Sequence, residues 1–398
     1  MGEVRSATDV QAAVAEVAAG FAAERSERQR RLELDPADFA LLAEAGLQAS
    51  GLPVERGGLF ADAPSSARTL CELQRTLAHG DPAVALVTAM HPAVLALWLC
   101  TPSVPEPHAA AWSAQRDAVF ATVEGGAWWG TITSEPGSGG DVGRTKALAS
   151  PLAGATPGPA PLEPLGPPAW SLSGAKHFGS GAGMSASMVT TARIDGEDRP
   201  DWFFVPTAGN PFDGTAGITV AAPWDGMGMR ATQSHALTFD ACPVHRVAWP
   251  GHLDDLMVGT APLIATLFTA VVLGVVETAV ATAQEQLGPK AASLRPYEQV
   301  EWAQAVLEAW TLEQAYEGAL RAIESGGPAR VAATRAKTVG AQLAESCLTR
   351  TCRVLGGGTF SQRSPFSQWF EDVRALGFLR PPWGLAVDGL IASALPQP

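Results

Sequence analysis

Between Ala118 and Val244 the chain reads, in order, AVFATV (118–123), WWGTIT (128–133), TKALA (145–149), AWSLSG (169–174), SMVTTARI (187–194), DWFFVPT (201–207), GITVAA (217–222) and HALTFDACPV (235–244). These segments are short, rich in Thr, Val, Phe and Trp, and separated by Gly, Pro and Asp turns, a pattern of strands. It predicts a small antiparallel β-barrel or sandwich over residues 119–250. Within it, Ser150–Pro168 is rich in Pro and Gly without periodicity and reads as a surface loop inserted between two strands.

The flanks have a different texture. Residues 1–118 carry Ala-, Leu- and Glu-rich periodic stretches broken by turn clusters, and long helical patterns return after Pro250 to about Arg374. The class is therefore α+β, mostly α, in three domains: an N-terminal helical domain (1–118), the central β domain (119–250) and a C-terminal helical domain (251–398).

The 398 residues are 46% hydrophobic and 17% charged, which excludes a disordered chain. Forty acidic residues against 27 Lys and Arg leave a net charge of -13, opposite in sign to a nucleic-acid footprint. Five cysteines form no C-x-x-C pair and have no His at ligand spacing, so neither zinc nor a disulfide framework is signalled; a reducing, cytoplasmic compartment is expected. The N-terminus has no apolar core of a secretory signal. Leu256–Val276 carries no charge and is long enough to cross a membrane. Its threonines, Pro262 and polar continuation (ETAVATAQEQL) read instead as a helix buried in a bundle.

Three strings stand in order in the β segment: SEPGSGGDV (134–142), WSLSGAKHFGSGAG (170–183) and PWDGMGMRATQSHALTFDACPV (223–244). Together they resemble the acyl-CoA dehydrogenase superfamily. LPVERGGLF (52–60) and RVLGGGTFSQRSPFSQWFEDVR (353–374) are similar to two further family motifs, so the likeness spans nearly the whole chain. It implies that the C-terminal helices form a four-helix bundle and that a flavin sits between them and the β domain. FAD is the implied cofactor, with FMN or a reduced flavin as the alternative. On the family pattern the flavin is held by backbone groups around Ile132, Thr133 and Ser134, the Ser180 hydroxyl donates to it, and Phe178 stacks beside its ring. A homotetramer or homodimer is also implied.

The departures from the family pattern are chemical. Thioester dehydrogenation needs a carboxylate base opposite the flavin. Counting from Arg374 puts Arg380 at that position, and Ile264 falls at the alternative one; a guanidinium stays protonated and is no base. The cation that reaches the flavin dinucleotide across a subunit interface is reduced to Lys290, and the Gln of Q-x-x-G-G is Arg353, followed by Gly356 and Gly357. Arg380 and His91 are the candidate catalytic residues. The expected function is an oxidoreductase acting on an acyl-CoA or related acyl substrate, with electron-transfer flavoprotein as a partner. One alternative is a monooxygenase of the same fold that takes reduced flavin from a partner reductase. The other is a catalytically silent binding or scaffold member.

Overall fold

The computed structural model describes residues 5–152 and 165–395; most of the Pro/Gly-rich loop read at 150–168 lies outside them. Helix α1 (Ala7–Ala23) starts at a capping box, in which Ser6 accepts the Asp9 N–H while the Asp9 carboxylate accepts from Ser6, and it buries Val10, Val14, Ala18 and Phe21 on one face. The short helices α2 (Arg25–Arg28) and α3 (Pro36–Glu44) lead to α4 (Ala63–Gly80) and α5 (Pro82–Leu99). Asp81 accepts the Ala83 and Val84 N–H groups to cap α5, which is apolar all round and buried along its whole length. Helix α6 (Ala109–Glu124) completes the N-terminal layer.

One expectation fails here. AVFATV is not a strand but the last turns of α6, which crosses residue 118. Val119, Phe120 and Val123 bury one helical face beside Trp112, and tertiary burial overrides the β propensity of the β-branched and aromatic side chains.

The strands are β1 (Trp129–Thr131), β2 (Leu148–Pro151), β3 (Trp170–Gly179), β4 (Ser187–Ile194), β5 (Asp201–Pro206), β6 (Ile218–Ala222) and β7 (His235–Arg246). They close into a barrel through β4–β2–β3–β7–β5–β4. One edge of β4 is shared by β1 at its start and β2 at its end, and one edge of β7 by β6 and β5. The barrel is mixed, not antiparallel: both β1 and β2 run parallel to β4. A β1–β2 connection that stays on one side of β4 returns the chain in its original direction, and that connection is the loop with the SEPGSGGDV string. The barrel interior is filled by Ile132, Leu172, Met188, Phe203, Val205, Leu237 and Phe239.

Helices α7 (Leu253–Leu287), α8 (Pro296–Glu324) and α9 (Ala329–Leu355) form three members of the C-terminal bundle. The fourth position is broken into α10 (Pro365–Val373), α11 (Ala375–Phe378) and α12 (Trp383–Ala394), which pack on α9 and α7. The uncharged run 256–276 lies in α7, where Leu263 and Ala265–Val276 are buried against the helices of both helical domains. Gly274 permits that approach, since a Cβ there would strike the Arg75 backbone of α4.

Candidate active site crevice

The chain leaving β1 is pinned on both sides. Thr190 Oγ1 donates to the Ile132 carbonyl at 2.6 Å, the Ile132 N–H donates to Val189, and the His177 N–H donates to the Ser134 carbonyl at 2.8 Å. Both backbone groups of Ile132 and the Ser134 carbonyl are therefore held within the barrel and are not offered to a ligand, which narrows the expected backbone contact to Thr133 and the Ser134 N–H. Beneath this loop Lys176, fully buried, donates to Glu135 and to the Thr191 carbonyl at 2.6 Å, and the Glu135 carboxylate also takes Thr145 and the Lys146 and Ala147 N–H groups. Burial alone would raise Glu135, but the donors from Lys176, Thr145 and Lys146 hold it below the ordinary carboxylate range. This pair rivets the loop to β3.

Where β3 meets β7 the register slips between Lys176 and Gly179. The irregularity throws Phe178 outward: its φ is +61° and it is 56% exposed, an uncommon state for a bulky residue. The Trp224 ring stands edge-on to it at 6.1 Å. Ser180, two residues on, is buried and shares a hydrogen bond of 2.8 Å with Ser234, which in turn meets Thr232 at 2.7 Å; Thr232 Oγ1 also reaches the Met229 carbonyl at 2.8 Å. Each hydroxyl has one proton. With Thr232 donating to Met229, the row runs Ser180→Ser234→Thr232 and Ser180 turns lone pairs toward the crevice. Reversing the row makes Ser180 a donor there.

The other wall is the segment between α11 and α12. Arg380 donates from Nε at 3.1 Å and a terminal nitrogen at 2.5 Å to Thr133 Oγ1, and from its second terminal nitrogen at 2.5 Å to the Gly140 carbonyl. Lys337 of α9, buried, donates to the Pro381 carbonyl at 2.6 Å and so holds this segment; burial pulls its amine down to about 7. Ile264 is partly buried and packed against the core. The structure thus unites Ile132, Thr133, Ser134, Phe178, Ser180 and Arg380 in one region, with the Arg380 guanidinium held on Thr133 and Gly140.

Five of the sequence candidates lie elsewhere. His91 is 1% exposed; it accepts the Trp129 N–H at Nδ1 (2.9 Å), and Nε2 is 2.9 Å from the Gln48 carbonyl, so it is the Nε2–H tautomer with no nitrogen left for a substrate. Burial pushes it down to about 4, and its work is to tie α5 to β1. Lys290 is exposed on the turn after α7. Arg353 pairs with Glu301 at 3.3 Å, next to the Arg350–Glu301 pair, and Gly356 and Gly357 follow at the end of α9. Lys337 and Arg353 are separated by about 24 Å along α9, so within one protomer this end of the bundle does not meet the crevice.

Sequence reading passed over several residues that build the site. Glu135 and Lys176 stand inside the quoted strings, and Lys337 is one of four lysines in a chain whose basic residues are otherwise Arg, a usable signal. Trp224, Thr232 and Ser234 also stand inside a quoted string (223–244), as does Asp372 (353–374), but no residue-type signal singled them out there. Asp372 is buried and takes the Met229 N–H at 2.6 Å and Gln368 at 2.9 Å, docking the 223–230 loop onto α10.

Residues 130–242 match the family model described as acyl-CoA dehydrogenase, middle domain, and residues 263–380 that of the acyl-CoA dehydrogenase C-terminal domain. The chain is 29% identical over 234 residues to the amino sugar nitrososynthase DnmZ of Streptomyces peucetius, covering 53% of this chain and 56% of the relative; it thus spans little more than half that relative's length. Its fold is that of TdsC from Paenibacillus sp. A11-2, solved with FMN and indole (TM-score 0.76, 20% identity, 96% of this chain and 95% of that one). It is equally that of a nitrososynthase from Micromonospora carbonacea var. africana (TM-score 0.76, 21% identity, 98% and 96%). With family models covering both barrel and bundle, and the motifs of the barrel gathered in one region, the chain belongs to the acyl-CoA dehydrogenase superfamily.

Proposed function

We propose that this protein is the oxygenase component of a two-component flavin-dependent monooxygenase acting on a small polar molecule, with reduced flavin supplied by a separate reductase. The observation that carries the reading is Arg380. On the family pattern it takes the position where α-proton abstraction from a thioester needs a carboxylate, and Thr133 and Gly140 hold it. Among similar proteins, a nitrososynthase and the FMN-bound TdsC support an oxygen-transferring reading over an acyl-CoA-oxidising one.

The crevice fits a flavin by an observation of its own: an exposed aromatic held in a left-handed conformation beside a hydroxyl whose donor or acceptor role is reversible. Phe178 and Trp224 would cover the ring system, Ser180 would hydrogen-bond its polar edge, and Thr133 and the Ser134 N–H would meet its carbonyl side. FMN is the preferred form, FAD the alternative. When bound, reduced flavin supplies the two electrons that activate molecular oxygen, one atom going to the substrate and one to water. The chain's own part is to exclude bulk water with Phe178 and Trp224, to hold a proton at Ser180 Oγ, and to place positive charge at Arg380.

We also propose a homo-oligomer, located in the cytoplasm. Helix α8 leaves Tyr297, Val300, Leu307 and Trp310 exposed on neighbouring turns, a face that suits a second copy. Lys290, Arg353, Gly356 and Gly357, remote from their own crevice, would then serve a partner's.

The test is oxygen incorporation. With FMN, NADH and a flavin reductase, and amines or sulfur heterocycles as substrates, mass spectrometry is expected to find one atom from ¹⁸O₂ in the product. Anaerobic bleaching of bound flavin by an acyl-CoA would overturn the reading.

A further inference from the structure

Away from the crevice, four arginines line one cleft where the three domains meet: Arg25 and Arg28 of α2, Arg31 just beyond it, and Arg230 of the 223–230 loop. Two of them are matched. Arg28, buried, is held by Asp38 at 2.5 Å and Asp81 at 2.8 Å, and Arg31 meets Asp38 at 3.1 Å and Glu27 at 3.5 Å. Arg25 and Arg230 form no ion pair among the described residues. The Arg25 guanidinium lies over the Trp369 ring at 5.0 Å and donates from Nη2 to the His79 carbonyl at 3.1 Å, while its Nη1 is buried without a partner. Arg230 makes one polar contact, from Nη1 to the Gln29 carbonyl at 3.5 Å. The Gln29 N–H in turn donates to the Arg25 carbonyl, so Arg230 reaches the chain one turn from Arg25.

Two guanidinium groups on one cleft repel each other, and burial lowers Arg25 from the ordinary arginine value. The acids of the cleft do not answer them. Asp81 spends Oδ1 on the Ala83 and Val84 N–H groups at the start of α5 and Oδ2 on Arg28. Asp372 gives Oδ1 to Met229 and Gln368, and burial pushes it up to about 7, so it carries only part of a charge at neutral pH. The free space is about 20 Å³, enough for one water or one monoatomic anion and too little for an organic ligand. Size and charge together select a small, singly charged anion.

We propose that this cleft is a halide site, in which a chloride ion lies between Arg25 and Arg230 and fastens the N-terminal domain to the β domain. Its position ties it to the crevice. Arg230 follows Met229, whose N–H is taken by Asp372 and whose carbonyl receives both Thr232 and Trp224. An anion that fixes Arg230 therefore fixes the loop that carries the crevice wall, and flavin affinity responds to it. That second step rests on the flavin-dependent reading; the ion site does not.

³⁵Cl NMR of the purified full chain, at constant ionic strength with gluconate as the balancing anion, reads the site without any flavin. The wild type is expected to broaden the chloride line, and added bromide should narrow it by competition. Arg25→Gln and Arg230→Gln should each remove most of the excess linewidth at an unchanged circular dichroism spectrum, and Arg230→Lys, which keeps the charge, should retain more of it. Should Arg25→Gln fail to fold, Arg230→Gln decides, since it gives up only a 3.5 Å contact to a carbonyl. No broadening in the wild type overturns the site, as does a line equally broad in Arg230→Gln, which would assign the effect to scattered surface cations. FMN titration then tests the link: replacing gluconate by chloride should change FMN affinity about fivefold in the wild type and not in Arg230→Gln. Equal affinities in the two salts overturn the link and leave the ion site. If FMN binds in neither salt while the chloride line still depends on Arg230, the proposed function fails and the halide site stands.

Discussion

The Asp372 carboxylate of α10 accepts the Met229 backbone N–H at 2.6 Å, and the Met229 carbonyl takes the Thr232 hydroxyl at 2.8 Å. A single residue of the β domain therefore links the C-terminal bundle to the hydroxyl row that ends at Ser180. The same loop carries Trp224, whose Nε1–H also donates to the Met229 carbonyl, at 3.0 Å. The position of the crevice wall is thus set from α10.

Burial, reinforced by Asp81 and Glu371, pushes Asp372 up to about 7 from an ordinary 3.8. A carboxyl raised in the folded state stabilises fully below its unfolded pKa and loses that contribution as pH rises through its folded one. The Tm advantage of Asp372→Asn over wild type should therefore grow between about pH 4 and pH 7 and level off above. Parallel thermal melts across that range check it; a constant difference would refute the assignment.

Breaking the Glu135–Lys176 pair leaves one charge buried without its partner. Lys176→Met or Glu135→Gln should each destabilise the protein by about 3–5 kcal/mol, measurable by denaturant unfolding. The double variant should recover part of the loss, because two neutral groups need no counter-charge.

Removing the inner end of the hydroxyl row tests its role without touching a ligand. Ser234→Ala leaves Ser180 without its internal partner and should alter flavin affinity by a factor of about five, corresponding to one hydrogen bond of about 1 kcal/mol. Ser180→Ala should weaken binding by a similar factor, and the double variant should show little further change.

Arg380→Glu places a carboxylate where acyl-CoA oxidation would need one. On the monooxygenase reading no acyl-CoA bleaches the flavin of this variant anaerobically, since the crevice is shaped for another substrate. Turnover with a common acyl-CoA would return the chain to the dehydrogenase side of its superfamily.

Replacing Trp310 by Glu, alone or with Leu307→Glu, places charge on the exposed face of α8. Size-exclusion chromatography with light scattering should show a smaller species than wild type, with helical content unchanged by circular dichroism.

Residue types and their spacing were enough to determine the three-part architecture, the buried nature of 256–276, and the strings that gather at the crevice, because turn chemistry and burial periodicity are local properties. Counting from Arg374 singled out Arg380. They misread AVFATV, whose β-branched residues face a helical core, and the direction of β1 and β2, which depends on the route of a loop and not on its composition. His91 looked chemical and is architectural, since only the fold brings the Trp129 N–H and Gln48 carbonyl to its two nitrogens. Tertiary structure alone decided that Thr133 and Gly140 grip Arg380, that Lys337 holds its segment, and that Asp372 governs the opposite wall. Each of these contacts joins residues more than a hundred positions apart or on separate elements, where no local pattern exists to be read.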